Sequence, residues 1–318
     1  MLYKRVELIG KNQIALERYL YKFFNRRHEL NKLKWHEKDF FYEHLQILRN
    51  NNGSYAVDIY SIPEAQDYVL YKLILIYVSN NYLIDFNKKS FDYNGEIPKD
   101  ERNRHKKIFF SLMNKWTAEL NKGKGKYLMV ITPLFNRKLK ELQELKVQRK
   151  IDYRTYSLCH LYMRATFYHI YYIVRKYFDE MKIKTEYIAI DGINFYANIY
   201  TYAHILTRHY YPKMNSAFSV SLNEDIPSVD VWNLPCSLLN LIKLYSTKGT
   251  ITKSTEYLLF LIDKKKYILW IKYDKIAILG NIEGMEIRSF YCCEEQYDLC
   301  KFEGKSIYKV DEHLSIVC

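Results

Sequence analysis

The segment EYLLFLIDKKKYILWIKYDKIAILGNIEGMEIRSFYCC, residues 256–293, indicates the fold class of the second half of the chain. It contains four short runs rich in β-branched and aromatic residues, and the turns KK, DK and NIEG separate them. Runs of this length, joined by such short connections, are typical of an antiparallel meander. We therefore predict a β-sheet in this part of the chain.

Helical patterns come before this predicted sheet. NIYTYAHILTRHYY, residues 198–211, has helical spacing up to Pro212, and NLPCSLLNLIKLYSTKG, residues 233–249, has a proline in its first turn and a glycine at its end. TEYIAID, residues 185–191, alternates like a short strand. The prediction for residues 182–318 is a small α+β domain, in which helices pack on the antiparallel meander.

Residues 1–181 have a different pattern, in which one amphipathic helix follows another. SIPEAQDYVLYKLILIYVSNN, residues 61–81, begins with a capping box, and DERNRHKKIFFSLMNKWTAELNKG, residues 100–123, ends at a glycine. Helical spacing also covers residues 133–150 and 152–181. We predict an all-helical N-terminal domain over residues 1–181.

The charge of the chain is unevenly distributed between these two domains. The net charge is +13, and residues 182–318 carry 16 basic and 16 acidic side chains, so the whole excess lies in the first 181 residues. A basic domain of this kind favours a polyanionic or acidic partner. We expect RNA to contact the basic clusters formed by Arg102, Arg104, Lys106, Lys107, Lys122, Lys124 and Lys126.

Several classes of protein are disfavoured by the composition. The longest apolar run, residues 68–78, contains Lys72 and is shorter than the roughly 20 residues that a membrane span needs. The first 20 residues lack the features of a signal peptide, and the six cysteines are irregularly spaced. We expect a cytoplasmic protein with reduced thiols. No CxxC pair, HExxH motif or carboxylate cluster occurs at ligand spacing, so neither a metal nor a cofactor is expected.

Three polar residues stand close together in YAHILTRHYYPKM, residues 202–214. His204 and Arg208 are four apart and share a helix face, whereas His209 lies about 140° away on an ideal helix. The three converge only if the helix ends near residue 209, which Pro212 favours. A buried histidine followed by a solvated helix end would also explain the pattern.

The order of these motifs resembles a known group of nucleases. HILTRH, a leucine-rich helix and a meander whose last strand carries EIRSFY are similar to the superfamily of barnase, EndoU, colicin and RelE-like ribonucleases, especially its phage and toxin branches. The similarity covers residues 185 to about 300. It implies that the catalytic residues are His204, Arg208, His209, Lys272, Ser289 and Tyr291.

The resemblance implies a toxin-type endoribonuclease. In such a hydrolase the 2′-OH of the RNA attacks the neighbouring phosphate, and no metal is needed. The two histidines would act as base and acid, Arg208 and Lys272 would hold the phosphate, and Ser289 would donate a hydrogen bond. Tyr291 or Trp270 would stack on a base. Ser289 and Tyr291 are two apart on a strand and therefore share a face. The implied partners are RNA, for example tRNA, and an acidic antitoxin or immunity protein, in phage defence, phage biology or a toxin–antitoxin pair.

Two other interpretations fit parts of the sequence. RATFYH, residues 164–169, matches the R-x4-H spacing of HEPN ribonucleases, with Arg164 and His169 in the active positions of a dimeric site. That spacing is common by chance. The chain would otherwise be a non-catalytic protein, in which the basic helical domain binds nucleic acid or an acidic partner.

Overall fold

The structure, a computed structural model, describes residues 99–210, 213–214, 220–221, 233–276 and 282–318. The chain divides into two compact units, and the described residues 99–113 belong to the first. All described residues from Asn114 onward belong to the second. The helix predicted over residues 61–81, like much of the predicted N-terminal domain, lies outside the described residues. Within the ranges just given, no helix combines the length and apolar content of a membrane span.

Three long helices come before the sheet: α1 (Lys99–Lys122), α2 (Leu128–Val147) and α3 (Tyr153–Met181). Helix α1 ends where Gly123 adopts a φ of 58°, in the left-handed region that glycine reaches without strain. The Asp152 carboxylate caps α3 by accepting a hydrogen bond from the Thr155 N–H at 2.7 Å. The helices predicted over residues 100–123 and 152–181 are therefore confirmed.

Helix α2 begins at Leu128, five residues before the predicted start at Pro133. Pro133 lies in the second turn, where a proline removes the hydrogen bond that its own N–H would have donated. The apolar side chains of Ile131 and Leu134 on either side of it are buried. Their burial accounts for a helix that tolerates this proline.

Seven strands form one mixed sheet in the order β1-β2-β7-β6-β5-β9-β8. Their bounds are β1 (Thr185–Ile190), β2 (Ile193–Asn198), β5 (Tyr257–Ile262), β6 (Lys265–Ile276), β7 (Ile282–Cys292), β8 (Ile307–Lys309) and β9 (Leu314–Val317). Two short strands, β3 (Lys213–Met214) and β4 (Val220–Ser221), pair with each other outside this sheet. The described residues thus form an α+β fold, as predicted.

The predicted meander is confirmed for β5, β6 and β7, which pair antiparallel in sequence order. The sheet as a whole is not purely antiparallel, because β2 runs parallel to β7, with Phe195 opposite Met285. The long connection between these two strands permits the parallel alignment. Of the predicted run KIAILGN, residues 275–276 extend β6, and the others lie outside the described residues.

The shorter helices are α4 (Ile199–Ile205), which continues as a π-helical turn over Leu206–Tyr210, α5 (Leu234–Ser246) and α6 (Gln296–Leu299). Helix α5 packs on the sheet, with the rings of Tyr245 and Phe260 5.8 Å apart. Gly249 lies against this tyrosine, because a Cβ there would be 2.5 Å from Tyr245 Cε1. Asn233 precedes α5 as predicted, but its side chain makes no capping hydrogen bond.

Helix α3 belongs to the same compact unit as the sheet. Its Tyr177 ring meets the Tyr202 ring of α4 at 5.5 Å, and the Tyr177 hydroxyl donates to Glu186 of β1 at 2.9 Å. The predicted boundary between residues 181 and 182 therefore falls inside this unit. The apolar face of the 29-residue helix α3 needs a surface to pack against, and α4 provides part of that surface.

Candidate active site

A cleft of about 780 Å³ is lined by α4, its π turn, the strands β6 and β7, and the loop of residues 253–256. Five of the six predicted catalytic residues line it: His204, Arg208, Lys272, Ser289 and Tyr291. They come from three separate elements, and the fold brings them together. The sixth, His209, lies behind the wall of the cleft.

His209 is buried, with 7% of its surface exposed, and it contacts two of the cleft residues. Its Nε2 lies 3.1 Å from Ser289 Oγ, a hydrogen bond whose direction depends on the ring tautomer. Its ring stacks on Tyr291, with the ring centroids 4.7 Å apart and 14° between the planes. The prediction that one of the two histidines lies within about 10 Å of Ser289, as a shared phosphate requires, is therefore confirmed.

The π turn explains how residues five apart approach the same wall. From Leu206 onward the hydrogen bonds connect residues five apart, so the turn is wider than in an α-helix. The hydroxyl of Thr207 donates to the Ala203 carbonyl at 2.6 Å, a side-chain contact that bends helices. The helix thus changes geometry before His209, in the region where Pro212 favours an end of the helix.

A β-bulge places an unpredicted residue in the cleft. Trp270 of β6 pairs with Ser289, whereas the next residue, Ile271, pairs with Ile287, so Arg288 is the extra residue of β7. Regular alternation would direct Arg288 away from the face of Ser289. In the bulge, Arg288 lines the cleft together with Ser289. The motif EIRSFY contains this arginine, but nothing in its alternation indicates the bulge.

Arg288 is held in place by two carboxylates. Its Nη2 lies 2.7 Å from Glu286 Oε2 and 3.4 Å from Asp274 Oδ2. The other oxygen of Glu286 accepts a hydrogen bond from Asn198 Nδ2 at 3.1 Å. Burial raises the pKa of Glu286, and the charge of Arg288 opposes this shift. The guanidinium is therefore fixed at the edge of the cleft by a network that reaches the start of α4.

His204 is the histidine that lines the cleft directly. Its ring stacks on Tyr200, with 5.4 Å between the centroids and 16° between the planes. Burial lowers the pKa of His204 below its ordinary value, and the positive charges of Arg208, Arg137 and Arg288 lower it further. This shift favours the neutral imidazole, the form that can accept a proton.

The hydroxyl of Tyr291 is fully engaged inside the protein. It accepts a hydrogen bond from Trp270 Nε1 at 2.9 Å and donates one to Asp298 Oδ2 at 2.9 Å. Burial raises the pKa of Tyr291 to about 12, so it stays protonated at neutral pH. His209 covers one face of the Tyr291 ring.

Cationic side chains outnumber carboxylates in the lining of the cleft, where Arg208, Lys253, Lys272 and Arg288 stand with Glu256. Two of the four are partly neutralised, because Lys253 Nζ lies 3.6 Å from Glu283 Oε2 and Arg288 pairs with two carboxylates. Lys266, which could fill the same cationic role as Lys272 by its place in the sequence, is not among the residues that line the cleft, and its Nζ lies 5.2 Å from the centroid of the Phe302 ring. The loop that carries Lys253 and Glu256 has no periodic pattern in its sequence, so its place in the cleft could not be predicted.

The predicted RNA-contacting clusters have mixed surroundings. Arg102, Arg104 and Lys106 lie on α1, but their side chains are outside the described residues. Lys107 and Lys124 are exposed, as are Lys122, 2.8 Å from Glu119 Oε1, and Lys126, 3.1 Å from Asp179 Oδ1. Two of the lysines are thus partly neutralised by carboxylates, and RNA binding at these clusters stays a prediction.

The alternative pair lies on α3, where Arg164 is half-buried and His169 is buried. His169 is 5% exposed, and burial lowers its pKa to about 3. Arg164 donates to Thr117 Oγ1 at 3.0 Å, and its carbonyl accepts a hydrogen bond from Trp116 Nε1 at 3.0 Å. A histidine buried in this way is not accessible to an RNA strand, so the geometry favours the cleft over the R-x4-H pair.

No known protein family, curated protein or solved structure matches this chain. The resemblance to the ribonuclease superfamily therefore stays a prediction, and the case for a site depends on the geometry alone. Across the part of the chain that the structure describes, no group of three or more His, Cys, Asp or Glu side chains is arranged to hold a metal ion.

Proposed function

We propose that this chain is a metal-independent endoribonuclease of the toxin type, with its active site in the cleft beside α4. The observation that supports this best is the convergence, on one cleft lined by cationic side chains, of a histidine that lines it directly and a second histidine that reaches it through a serine. These are the groups that RNA cleavage by the 2′-OH needs: a base, an acid, and cations around the phosphate.

His204 is the base in this mechanism. Because its pKa is lowered, the neutral imidazole can take the proton of the 2′-OH while that oxygen attacks the phosphorus. Arg208, Lys272 and Arg288 line the same cleft and stabilise the negative charge that develops on the phosphate oxygens. The bond from phosphorus to the 5′-oxygen then breaks, which leaves a 2′,3′-cyclic phosphate and a 5′-hydroxyl.

The departing 5′-oxygen receives its proton through Ser289. His209 is too deeply buried to reach RNA directly, but its Nε2 contacts Ser289 Oγ, which lines the cleft. In the protonated ring, Nε2–H donates to Ser289 Oγ while the serine hydroxyl proton passes to the 5′-oxygen. His209 thus acts as the acid through Ser289, and Tyr291 supports the imidazole by stacking on its ring.

The proposal is tested by incubating the purified full chain with total RNA or tRNA in excess EDTA. We expect RNA ends that carry 2′,3′-cyclic phosphates, and we expect His204→Ala and His209→Ala each to abolish their formation. His313→Ala is the matched control, because that exposed histidine pairs with Asp263 outside the cleft, and we expect full activity from it.

Two other results would point elsewhere. Intact RNA, bound with a steep dependence on salt, would indicate a nucleic-acid-binding protein instead of an enzyme. Loss of cleavage in His169→Ala, with full activity in a folded His209→Ala, would place the site at the R-x4-H motif of α3. An acidic protein that inhibits by covering the positive cleft would fit the same proposal as an antitoxin or immunity partner.

A further inference from the structure

A buried ion pair lies behind the cleft, next to the Tyr291 hydroxyl. Helix α6 and the 3-10 turn that follows it (Cys300–Phe302) bring Lys301 Nζ to 3.0 Å from Asp298 Oδ1. Both side chains are only 9% exposed. Desolvation makes an ion pair with so little exposure a weak source of stability.

The lysine of this pair is held by aromatic rings. Its ammonium lies 3.3 Å from the centroid of the Tyr297 ring, 5.4 Å from that of Trp270 and 5.8 Å from that of Tyr257. It also donates to the Tyr297 carbonyl at 2.9 Å. Because cation–π contacts and hydrogen bonds act from several sides, Lys301 has little freedom to move.

The carboxylate of the pair fixes the tyrosine. Asp298 Oδ1 faces Lys301, while Oδ2 accepts the hydrogen bond from the Tyr291 hydroxyl at 2.9 Å. The hydroxyl in turn accepts from Trp270 Nε1, the same ring that faces the lysine. Each group in this chain has its direction set by the next, so the plane of the Tyr291 ring is fixed from its far end.

That ring is the surface on which His209 rests. The two rings are nearly parallel, at 14°, and a rotation of Tyr291 would remove the stacking contact. The imidazole must keep its orientation for Nε2 to remain within hydrogen-bond distance of Ser289 Oγ. The ion pair and the serine thus stand at opposite ends of one continuous series of contacts.

We propose that Asp298 and Lys301 are positioning residues of the candidate active site, which act through Tyr291 to hold His209 against Ser289. The effect on catalysis rests on the proposed ribonuclease function, whereas the effect on the orientation of His209 does not. A pair that served only to fasten α6 to the sheet would leave the histidine undisturbed when the tyrosine hydroxyl alone is removed.

The test follows the ring signals of His209 by NMR in the full chain with labelled histidines, assigned with His209→Gln. Tyr291→Phe keeps the ring and removes only the hydroxyl, and Lys301→Met removes the charge but keeps the length of the side chain. In both variants we expect the His209 signals to shift and kcat to fall about 10-fold with KM unchanged, since positioning acts on the transition state. Asp263→Asn, which breaks the exposed pair with His313, is the matched control and should change neither quantity.

The two readouts separate the two proposals. His209 signals that move in Tyr291→Phe, in a protein that never cleaves RNA, would retain the positioning role and reject the ribonuclease. Unmoved His209 signals in Tyr291→Phe would reject the positioning role, whatever the protein does to RNA. Tyr291→Phe leaves the ion pair in place, so the test can still be made if Lys301→Met fails to fold.

Discussion

Replacing Ser289 with alanine removes a hydroxyl that joins the buried His209 to the cleft. If the proton of the acid passes through this oxygen, the substitution removes general acid catalysis, which contributes about 10²–10⁴-fold to such reactions. We expect the single-turnover rate to fall at least about 100-fold, which corresponds to about 2.7 kcal/mol of transition-state stabilisation. RNA affinity should change less than about threefold, because the cationic side chains are untouched.

The substitution also removes the hydrogen bond between Ser289 Oγ and Nε2 of the buried His209. Removing such a partner lowers the free energy of unfolding by about 1–3 kcal/mol, so urea unfolding of the same protein must show that it is folded under assay conditions. Ser254→Ala is the matched control: Ser254 lines the same cleft but is exposed and bonds Thr252. We expect it to keep at least about half of the rate. A folded Ser289→Ala that retains a third or more of the wild-type rate would rule out the relay.

Two further substitutions test the electrostatics and the packing. Arg137→Gln removes a positive charge that helps to lower the pKa of His204, so that pKa should rise and the acidic limb of kcat/KM against pH should move to higher pH. An unmoved limb would mean that His204 is not the base. Gly249→Ala should lower the free energy of unfolding by about 1–3 kcal/mol in urea, because the new Cβ would lie 2.5 Å from a ring carbon of the buried Tyr245. An unchanged midpoint would mean that the ring moves freely.

Patterns that depend on local chemistry were predictable from the sequence. Helix α1 ends at a glycine and α3 begins at an aspartate cap, and both signals lie within one turn of the boundary that they mark. The shared face of Ser289 and Tyr291 follows from strand alternation, and both line the cleft. The meander could also be predicted from the sequence, since short turns join its strands.

Features that depend on contacts between distant segments were not predictable. The parallel pairing of β2 with β7 joins residues about 90 positions apart, and the sequence pattern assigned no element to residues 193–197, which form most of β2. The ion pair of Lys126 with Asp179 spans 53 positions, so the sequence presented this lysine as free for RNA. In both cases the partner is chosen by the tertiary fold, which the local pattern does not determine.

The location of the candidate site also follows from the way in which α4 is attached to β7. At its start, the Thr201 hydroxyl donates to the Ile287 carbonyl at 3.0 Å, and at its end His209 meets Ser289. Regular geometry fails on both sides of this second contact: the helix widens into a π turn, and the strand carries the bulge at Arg288. Each irregularity weakens regular backbone pairing, and both kinds are over-represented at functional sites. Two of them meet at one histidine–serine contact beside a cleft lined by cationic side chains, which marks this place as a candidate site independently of any resemblance in sequence.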